Sequence, residues 1–308
     1  MYLKISKEVT RVRSASFVAS PAIRGVMWMV LAQVFFSAMG VFTRLGAQNV
    51  PWQEAALSRF AIGSLVAYLM AVTRGASLCI TNKKLMWTRS IAGTLSALSI
   101  FYVLASPKIP LGDATTLSSV GPVFVVLLSW PVLGERVGKL VWLSVPFAFA
   151  GILLVLKPSF HIAYTLAAIA IIGSFFYSIA MITLRRIGPR ESGEAVVLYF
   201  SLFGTFVMLC ITIPVWVTPD AVTGLFLVFT GLSGGLGQMT MTRAFSLDGA
   251  ARISALNYLG IIFTYIIAIP VFGDLPTTWQ VIGTALVILS GLIITLSAQR
   301  ESIFPQEP

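Results

Sequence analysis

Charged residues are scarce in this sequence, and their scarcity excludes a soluble globular protein. Asp, Glu, Lys and Arg together make up 10% of the 308 residues, whereas hydrophobic residues make up 57%. A soluble domain carries about 25% charged residues, because those residues cover its water-facing surface. A chain with this composition needs lipid around most of its outside. The composition therefore indicates a polytopic membrane protein.

Cysteine and histidine are also nearly absent, which argues against a disulfide scaffold, a metal site or a catalytic cluster. The two cysteines, Cys79 and Cys210, fall in or near apolar segments at no metal-ligand spacing, and we interpret them as packing residues. The single histidine, His161, falls in a short predicted connection. We therefore expect no metal ion, no other cofactor and no enzymatic activity.

The sequence contains ten hydrophobic runs, each about 20 residues long, and a helix of that length crosses a bilayer. Helices are the expected form, because lipid leaves every backbone N–H and C=O to be paired within the chain. Short connections leave no room for a soluble domain. The predicted spans are residues 25–43, 55–72, 90–106, 114–133, 140–156, 162–184, 195–217, 221–242, 253–272 and 277–298.

The placement of Lys and Arg predicts the orientation, because these residues are enriched on the cytoplasmic side of a membrane protein. With the N-terminus inside, 17 of the 21 fall on the cytoplasmic side, and Arg44, Lys108 and Lys157 fall outside. Arg59 alone falls within a predicted span. This distribution explains the net charge of +10 without a nucleic-acid partner, and it places both termini in the cytoplasm.

The chain contains an internal repeat. Residues 117–135 return as residues 256–274 at a constant shift of 139, which aligns Gly121 with Gly260. Five spans separate the copies, an odd number, so the copies cross the membrane in opposite directions. The sequence therefore predicts two inverted halves related by a pseudo-two-fold axis in the membrane plane, an arrangement that suits alternating access.

This pattern resembles the EamA-type, ten-span family of the drug/metabolite transporter superfamily. The residues that carry the resemblance are SVGPVFV at 119–125, LGER at 133–136 and GILLVLKP at 151–158, with second-half counterparts at 244–250, 256–263 and 272–274. The resemblance implies ten helices around a central cavity that is lined mainly by spans 1, 3, 4, 6, 8 and 9. It also implies a carrier of amino acids, nucleotide-like metabolites, vitamins or drugs.

The family architecture divides the chain into two repeats and two tails. The expected partners are a small-molecule solute and the lipid of a bacterial inner membrane, and a monomer is compatible with the sequence. The segments are a basic cytoplasmic tail at 1–23, a first five-helix repeat at 24–158, a second, inverted five-helix repeat at 159–298 and a cytoplasmic tail at 299–308.

Polar residues on the expected lining spans are candidates for the cavity. Gln33 and Ser37 lie four residues apart on one face of span 1, and Ser99 and Tyr102 lie three apart on span 3. Small polar residues also join helices in lipid, so packing is the alternative for each serine. The candidate residues are Gln33, Ser37, Arg59, Ser99, Tyr102, Tyr177, Gln238, Asn257 and Tyr258.

Arg59 has two interpretations. It could reach the outer interface or bond backbone carbonyls there, or it could anchor a substrate carboxylate or phosphate. All 11 carboxylates fall at predicted span ends or in tails, so no acidic residue is expected at membrane depth. This absence disfavours a lipophilic cation and favours a neutral, zwitterionic or anionic solute.

Four residues are candidates for gates. Pro131 and Pro270 are repeat-related, and each removes a hydrogen bond within a span, so we predict symmetric kinks. Glu135 and Arg136 follow the first copy at the predicted inner interface, where they could latch a helix end. In the second copy Asp274 has no cationic neighbour, so the two gates need not be equivalent.

These observations favour a secondary transporter or exporter of a small organic metabolite that works by alternating access. Two alternatives stay open at this point. A membrane-embedded enzyme acting on lipid-linked substrates would need clustered acidic, histidine or metal-binding residues, which this sequence does not show. A passive channel would need a selectivity filter, and no ring of like charge marks one.

A thiol-accessibility experiment checks the orientation. In a chain whose Cys79 and Cys210 are replaced by serine, Arg190→Cys should react with a membrane-impermeant reagent only in inverted vesicles, because the middle connection at 185–194 should be cytoplasmic. Lys108→Cys is the matched control and should react in intact cells. Reaction of Arg190→Cys in intact cells would contradict the predicted orientation.

Overall fold

The fold is known from a computed structural model, which describes residues 21–133, 139–156, 160–247 and 250–303. Every regular element in these ranges is helical, which confirms the predicted class, an all-helical polytopic membrane protein. Seven segments are long and apolar enough to cross a membrane, and two shorter apolar helices accompany them. The helices are α1 (Pro21–Gly46), α2 (Trp52–Arg74), α3 (Lys83–Ala105), α4 (Leu111–Ser118), α5 (Gly121–Leu133), α6 (Lys139–Leu156), α7 (Phe160–Ile187), α8 (Gly193–Thr212), α9 (Ala221–Leu247), α10 (Ala250–Ala255), α11 (Tyr258–Phe272) and α12 (Thr278–Ile303).

Short polar side chains and glycine define several helix ends. The Asn82 side chain accepts the Leu85 N–H at 3.0 Å and starts α3, and Ser192 caps α8 in the same way. Asp220 caps α9, and hydrogen bonds from the Thr223 side chain and backbone lower the pKa of its carboxyl below the usual value.

Two spans are broken near their middle. The first break, at residues 119–120, separates α4 from α5, and the second, at 256–257, separates α10 from α11. Pro122 has no N–H to donate to the carbonyl four residues earlier, that of Ser118. The hydroxyl of Ser174 on α7 donates to that carbonyl at 3.0 Å instead. The broken backbone is therefore completed by a neighbouring helix.

The helices pack in a regular scheme around the two broken spans. Helix α1 packs against α9 and α11, and α7 packs against α3 and α5. Helix α2 pairs with α8, and α6 pairs with α12. The broken spans cross each other, because α4 contacts α11 and α10 contacts α5. Neighbouring helices therefore lie around both breaks.

Glycines allow helices α2 and α9 to approach closely. A Cβ atom at Gly231 would lie 2.6 Å from the Ile62 side chain, and one at Gly235 would lie 3.0 Å from the Cα of Gly63. Close approach at small residues is the usual way in which helices associate in lipid, since dispersion contacts replace the hydrophobic effect there. The approach presses the side chain of Arg59, which is on α2, against α9.

The structure corrects three expectations from the sequence. Predicted spans 114–133 and 253–272 are not continuous helices but the broken pairs α4–α5 and α10–α11. Helix α12 runs to Ile303, past the predicted end at residue 298. Arg59 is not the one cation within a helix, because α3 begins at Lys83 and therefore includes Arg89. The predicted tail up to residue 20 and the gate candidates Glu135 and Arg136 lie outside the described residues.

The close packing of α8 against α2 at Gly204 can be tested by substitution. A Cβ there would lie 2.2 Å from the Phe60 ring, so Gly204→Ala should force the α2–α8 pair apart and lower the Tm of the purified protein by roughly 2–10 °C. The matched control is Gly224→Ala on α9, where nothing lies within 4 Å of the added carbon. A Tm for Gly204→Ala equal to that of the control would contradict this packing.

Candidate functional site

A cavity of about 180 Å³, with polar side chains set in a mostly apolar wall, lies where the two broken spans cross. Residues on both sides of the first break line it, among them Ser118, Ser119 and Pro122, and at the second break Asn257 and Gly260 line it. The rest of the wall comes from α1, α2, α3, α7, α8 and α9. The spans implied by the family resemblance therefore line the cavity, and α2 and α8 contribute to it as well.

Three predicted site residues form one hydrogen-bonded chain on the cavity wall. The amide of Gln33 donates to the Asn257 side-chain oxygen at 2.8 Å, and the Asn257 amide donates to the Tyr177 hydroxyl at 2.5 Å. The chain joins α1, the second break and α7. Gly260 is needed beside it, because a Cβ at that position would lie 2.5 Å from the Gln33 side-chain oxygen. Neutral groups that both donate and accept are thus fixed at the centre of the bundle.

Ser37 lies one turn further along α1 and holds the same two helices together. Its hydroxyl donates to the Gly260 carbonyl at 3.1 Å and accepts from the Thr264 hydroxyl, also at 3.1 Å. All three residues are buried and line the cavity. Ser37 therefore has the packing role and the cavity position that the sequence offered as alternatives.

Arg59 is buried inside the helix bundle. The residue is 4% exposed, and one guanidinium nitrogen, Nη2, donates to the Gln238 side-chain oxygen at 3.0 Å. Gly234 makes room for the side chain, since a Cβ there would lie 2.6 Å from the Arg59 Cγ. The guanidinium carbon also lies 4.9 Å from the Phe60 ring centroid. Arg59 and Gln238 both line the cavity, and the anchoring role of Arg59 stays a prediction.

Arg89 is a cavity residue that the sequence analysis missed. It is 2% exposed, and its guanidinium carbon lies 4.2 Å from the centroid of the Phe200 ring on α8. Gly93 provides the space, because a Cβ there would lie 2.1 Å from the Arg89 Nη1 atom. The signal that could have found it is Asn82, whose capping side chain starts α3 seven residues before Arg89.

Three predicted site residues do not line the cavity. Ser99 donates to the Leu95 carbonyl of its own helix and packs against Gly173 on α7. Tyr102 is 39% exposed and stacks edge-on against Trp52 at 5.9 Å. Tyr258 is fully buried in an apolar cluster beside the second break, and its hydroxyl has no partner among the described residues.

Buried carboxylates join the helices at both ends of the bundle. At one end, Asp113 in the first turn of α4 accepts hydrogen bonds from the Tyr265 hydroxyl, at 2.9 Å, and from the Gln280 amide. We call these three residues the Asp113 cluster. The carboxylate was predicted to lie at a span end, and its 3% exposure is the feature that the sequence did not show. The cluster joins α4, α11 and α12.

At the opposite end, Glu194 in the first turn of α8 forms ion pairs with Arg74 at 3.0 Å and with Arg243 at 3.1 Å. We call these residues the Glu194 cluster. It joins the ends of α2 and α9 to the start of α8. The repeat-related gate candidates Pro131 and Pro270 lie two residues before the ends of α5 and α11, and both are exposed. Their predicted gate role stays a prediction.

Comparison with known proteins identifies the family. Residues 23–157 and 165–296 match the EamA-like transporter family, and the chain belongs to this family. Among its relatives are transporters of the drug/metabolite transporter superfamily, so the protein is a membrane transporter and not an enzyme.

Individual relatives span most of the chain. A pseudopaline exporter of Pseudomonas aeruginosa is 30% identical over 276 residues, which are 89% of this chain and 94% of the relative. A riboflavin transporter of Vibrio cholerae is 23% identical and covers 89% of this chain and 93% of its own. A crystal structure that shares 20% sequence identity covers 91% of this chain and 99% of its own with a TM-score of 0.69, which shows a common fold.

Proposed function

We propose that this protein is a secondary transporter of a small organic metabolite that carries its solute by alternating access between two inverted five-helix halves. The observation that carries the proposal is the cavity at the crossing of the two broken spans, whose wall includes the polar side chains of Gln33, Asn257 and Tyr177. Binding sites at the interface of inverted repeats, formed by discontinuous helices, are typical of secondary transporters. Polar and ionisable side chains inside a membrane protein are costly and usually have a function, and this cavity contains several of them.

The packing scheme supports the inverted halves at 24–158 and 159–298. If α1, α2, α3, α4–α5 and α6 correspond to α7, α8, α9, α10–α11 and α12, then exchanging the two sets leaves the scheme unchanged. The pair α1–α9 becomes α7–α3, and α1–α11 becomes α7–α5, and all four contacts are present. Counting each broken pair as one crossing gives ten spans.

Individual contacts follow the same exchange. Gln33 on α1 bonds Asn257 at the second break, and Ser174 on α7 bonds the Ser118 carbonyl at the first break. The shift between Gln33 and Ser174 is 141 residues, and that between Ser118 and Asn257 is 139, so these positions correspond in the repeat. An even number of spans, with the distribution of Lys and Arg, supports cytoplasmic positions for both termini.

The two carboxylate clusters are suitable seals for alternating access. Each joins helices of both halves at one end of the cavity: Asp113 contacts Gln280, and Arg74 contacts Glu194. A carrier must keep at least one end closed while the other opens, so one cluster should separate in each open state. The clusters differ in chemistry, because the Glu194 cluster contains ion pairs and the Asp113 cluster has neutral donors.

The neutral residues Gln33, Asn257 and Tyr177 would orient the solute through hydrogen bonds, and Arg59 would attract a negative group. Relatives named as a riboflavin transporter and as an S-adenosylmethionine uptake transporter support a small metabolite without selecting one. A passive channel is the remaining alternative. Against it, the described residues contain no ring of like charge that would serve as a filter.

Transport kinetics test the proposal. A solute that stabilises the purified protein in a thermal screen of amino acids, nucleotides and vitamins should enter proteoliposomes with saturable kinetics, and the same solute on the opposite side should accelerate entry. Gln33→Ala and Asn257→Ala should lower transport at sub-saturating solute by about tenfold, because each removes a hydrogen bond of about 1–1.5 kcal/mol.

Matched controls come from the predicted residues that the structure places outside the cavity. Ser99→Ala and Tyr102→Phe should transport at wild-type rates. Flux that rises linearly with concentration and shows no acceleration from the opposite side would support a channel and contradict the carrier. Unchanged saturable transport in both Gln33→Ala and Asn257→Ala would contradict the assignment of the cavity.

A further inference from the structure

Two buried cations in the cavity have no carboxylate partner among the residues that the structure describes. Arg59 and Arg89 are 4% and 2% exposed, they lie on adjacent helices α2 and α3, and both line the cavity. Their guanidinium carbons lie 5.6 Å and 4.2 Å from the centroid of the same ring, that of Phe200. The separation of the two carbons is therefore no larger than the sum of these two distances.

The hydrogen-bonding capacity of both guanidinium groups is largely unused. The Nη1 atom of Arg59 and the Nε and Nη1 atoms of Arg89 are buried without a partner among the described residues. Among the described residues, the two ion pairs with a nitrogen–oxygen distance under 4 Å both involve Glu194. Glu194 binds Arg74 and Arg243 and not the cavity arginines. The Phe200 ring attracts the two cations but adds no negative charge.

This arrangement is costly for a protein without a ligand. Arginine does not give up its proton in proteins, so neutralisation is not available to relieve the burial. An unpaired buried charge is strongly destabilising, and two like charges near one ring repel each other in addition. Strained, unsatisfied groups of this kind occur at ligand sites, where the ligand supplies what is missing.

We propose that the cavity binds a small organic acid with at least two negative charges, which Arg59 and Arg89 neutralise together. The inference rests on the proposed transport function and names the substrate class for the same site. Each guanidinium presents a planar fork that matches a carboxylate or a phosphate. Gln33, Asn257 and Tyr177, which line the same cavity, would bond hydroxyl, amide or amino groups of the same solute.

The first experiment needs no knowledge of the solute. Replacing Arg89 by Met removes one unpaired charge at similar volume, so Arg89→Met should raise the Tm of the ligand-free protein by about 3 °C or more. The matched control on the same helix is Lys84→Met, which removes an exposed charge and should leave the Tm unchanged. A lower Tm for Arg89→Met would show that the charge is structural and would overturn the proposal.

The second experiment measures the Tm of wild-type protein with matched probes. The probes are dicarboxylates of four to six carbons with and without an α-amino group, their monoamides and diamides, and short phosphate monoesters. Diacids or phosphate monoesters should raise the Tm, monoamides less so and diamides not at all. The shift should be lost in Arg89→Met, partly retained in Arg89→Lys, and unchanged in Lys84→Met. Diacid and phosphate arms separate the two sources of double negative charge.

The outcomes separate this inference from the proposed function. If no doubly charged probe raises the Tm, or diamides raise it as much as diacids, the inference is wrong. Saturable counterflow of a neutral solute by the same preparation would then leave the transport function standing. Absence of saturable counterflow for every solute that binds would refute the transport function, whatever the two arginines bind.

Discussion

Lipid offers no water to an unpaired backbone group, and this constraint determines the centre of the molecule. A helix break inside the bilayer exposes carbonyl and amide groups that must find partners in the protein. Pro122 creates such a break, and the Ser118 carbonyl that it frees accepts the Ser174 hydroxyl of α7. At the second break, Gln33 on α1 donates to the Asn257 side chain and Ser37 donates to the Gly260 carbonyl. Side chains of α7 and α1 therefore bond the two breaks, and of these Gln33 and Ser37 also line the cavity.

The two buried arginines of the cavity lower the stability of the protein and point to a function. Arg59 and Arg89 are held in place by close packing, because Gly63, Gly93 and Gly234 leave the space that the two side chains fill. The packing positions the cations without neutralising them. A protein selected for stability alone would replace these residues with apolar ones of similar volume. Their burial without carboxylate partners in the described part of the chain is the feature on which the proposed dianionic ligand rests.

The sequence predicted the all-helical membrane class, and several of its candidate residues line the cavity. The length of the hydrophobic runs predicts helices, because few other backbone structures can cross lipid. The repeat at 117–135 and 256–274 predicts their symmetry. The cavity positions of Gln33 and Asn257 could be predicted, since a side-chain amide that faces lipid is costly. Arg89 was missed because hydropathy begins span 3 at residue 90, whereas the helix begins at its cap, Asn82. Tyr102 was misplaced because spacing along a helix defines a face but not what the face contacts.

Access to the cavity from both sides of the membrane is the central claim, and one residue tests it directly. Ala97 on α3 lines the cavity and takes no part in its hydrogen bonds. In a chain without Cys79 and Cys210, Ala97→Cys should react with a membrane-impermeant thiol reagent both in intact cells and in inverted vesicles, whereas Leu69→Cys, which is exposed on the outside of α2, should react in neither. Reaction of Ala97→Cys from one side only, or from neither, would contradict alternating access.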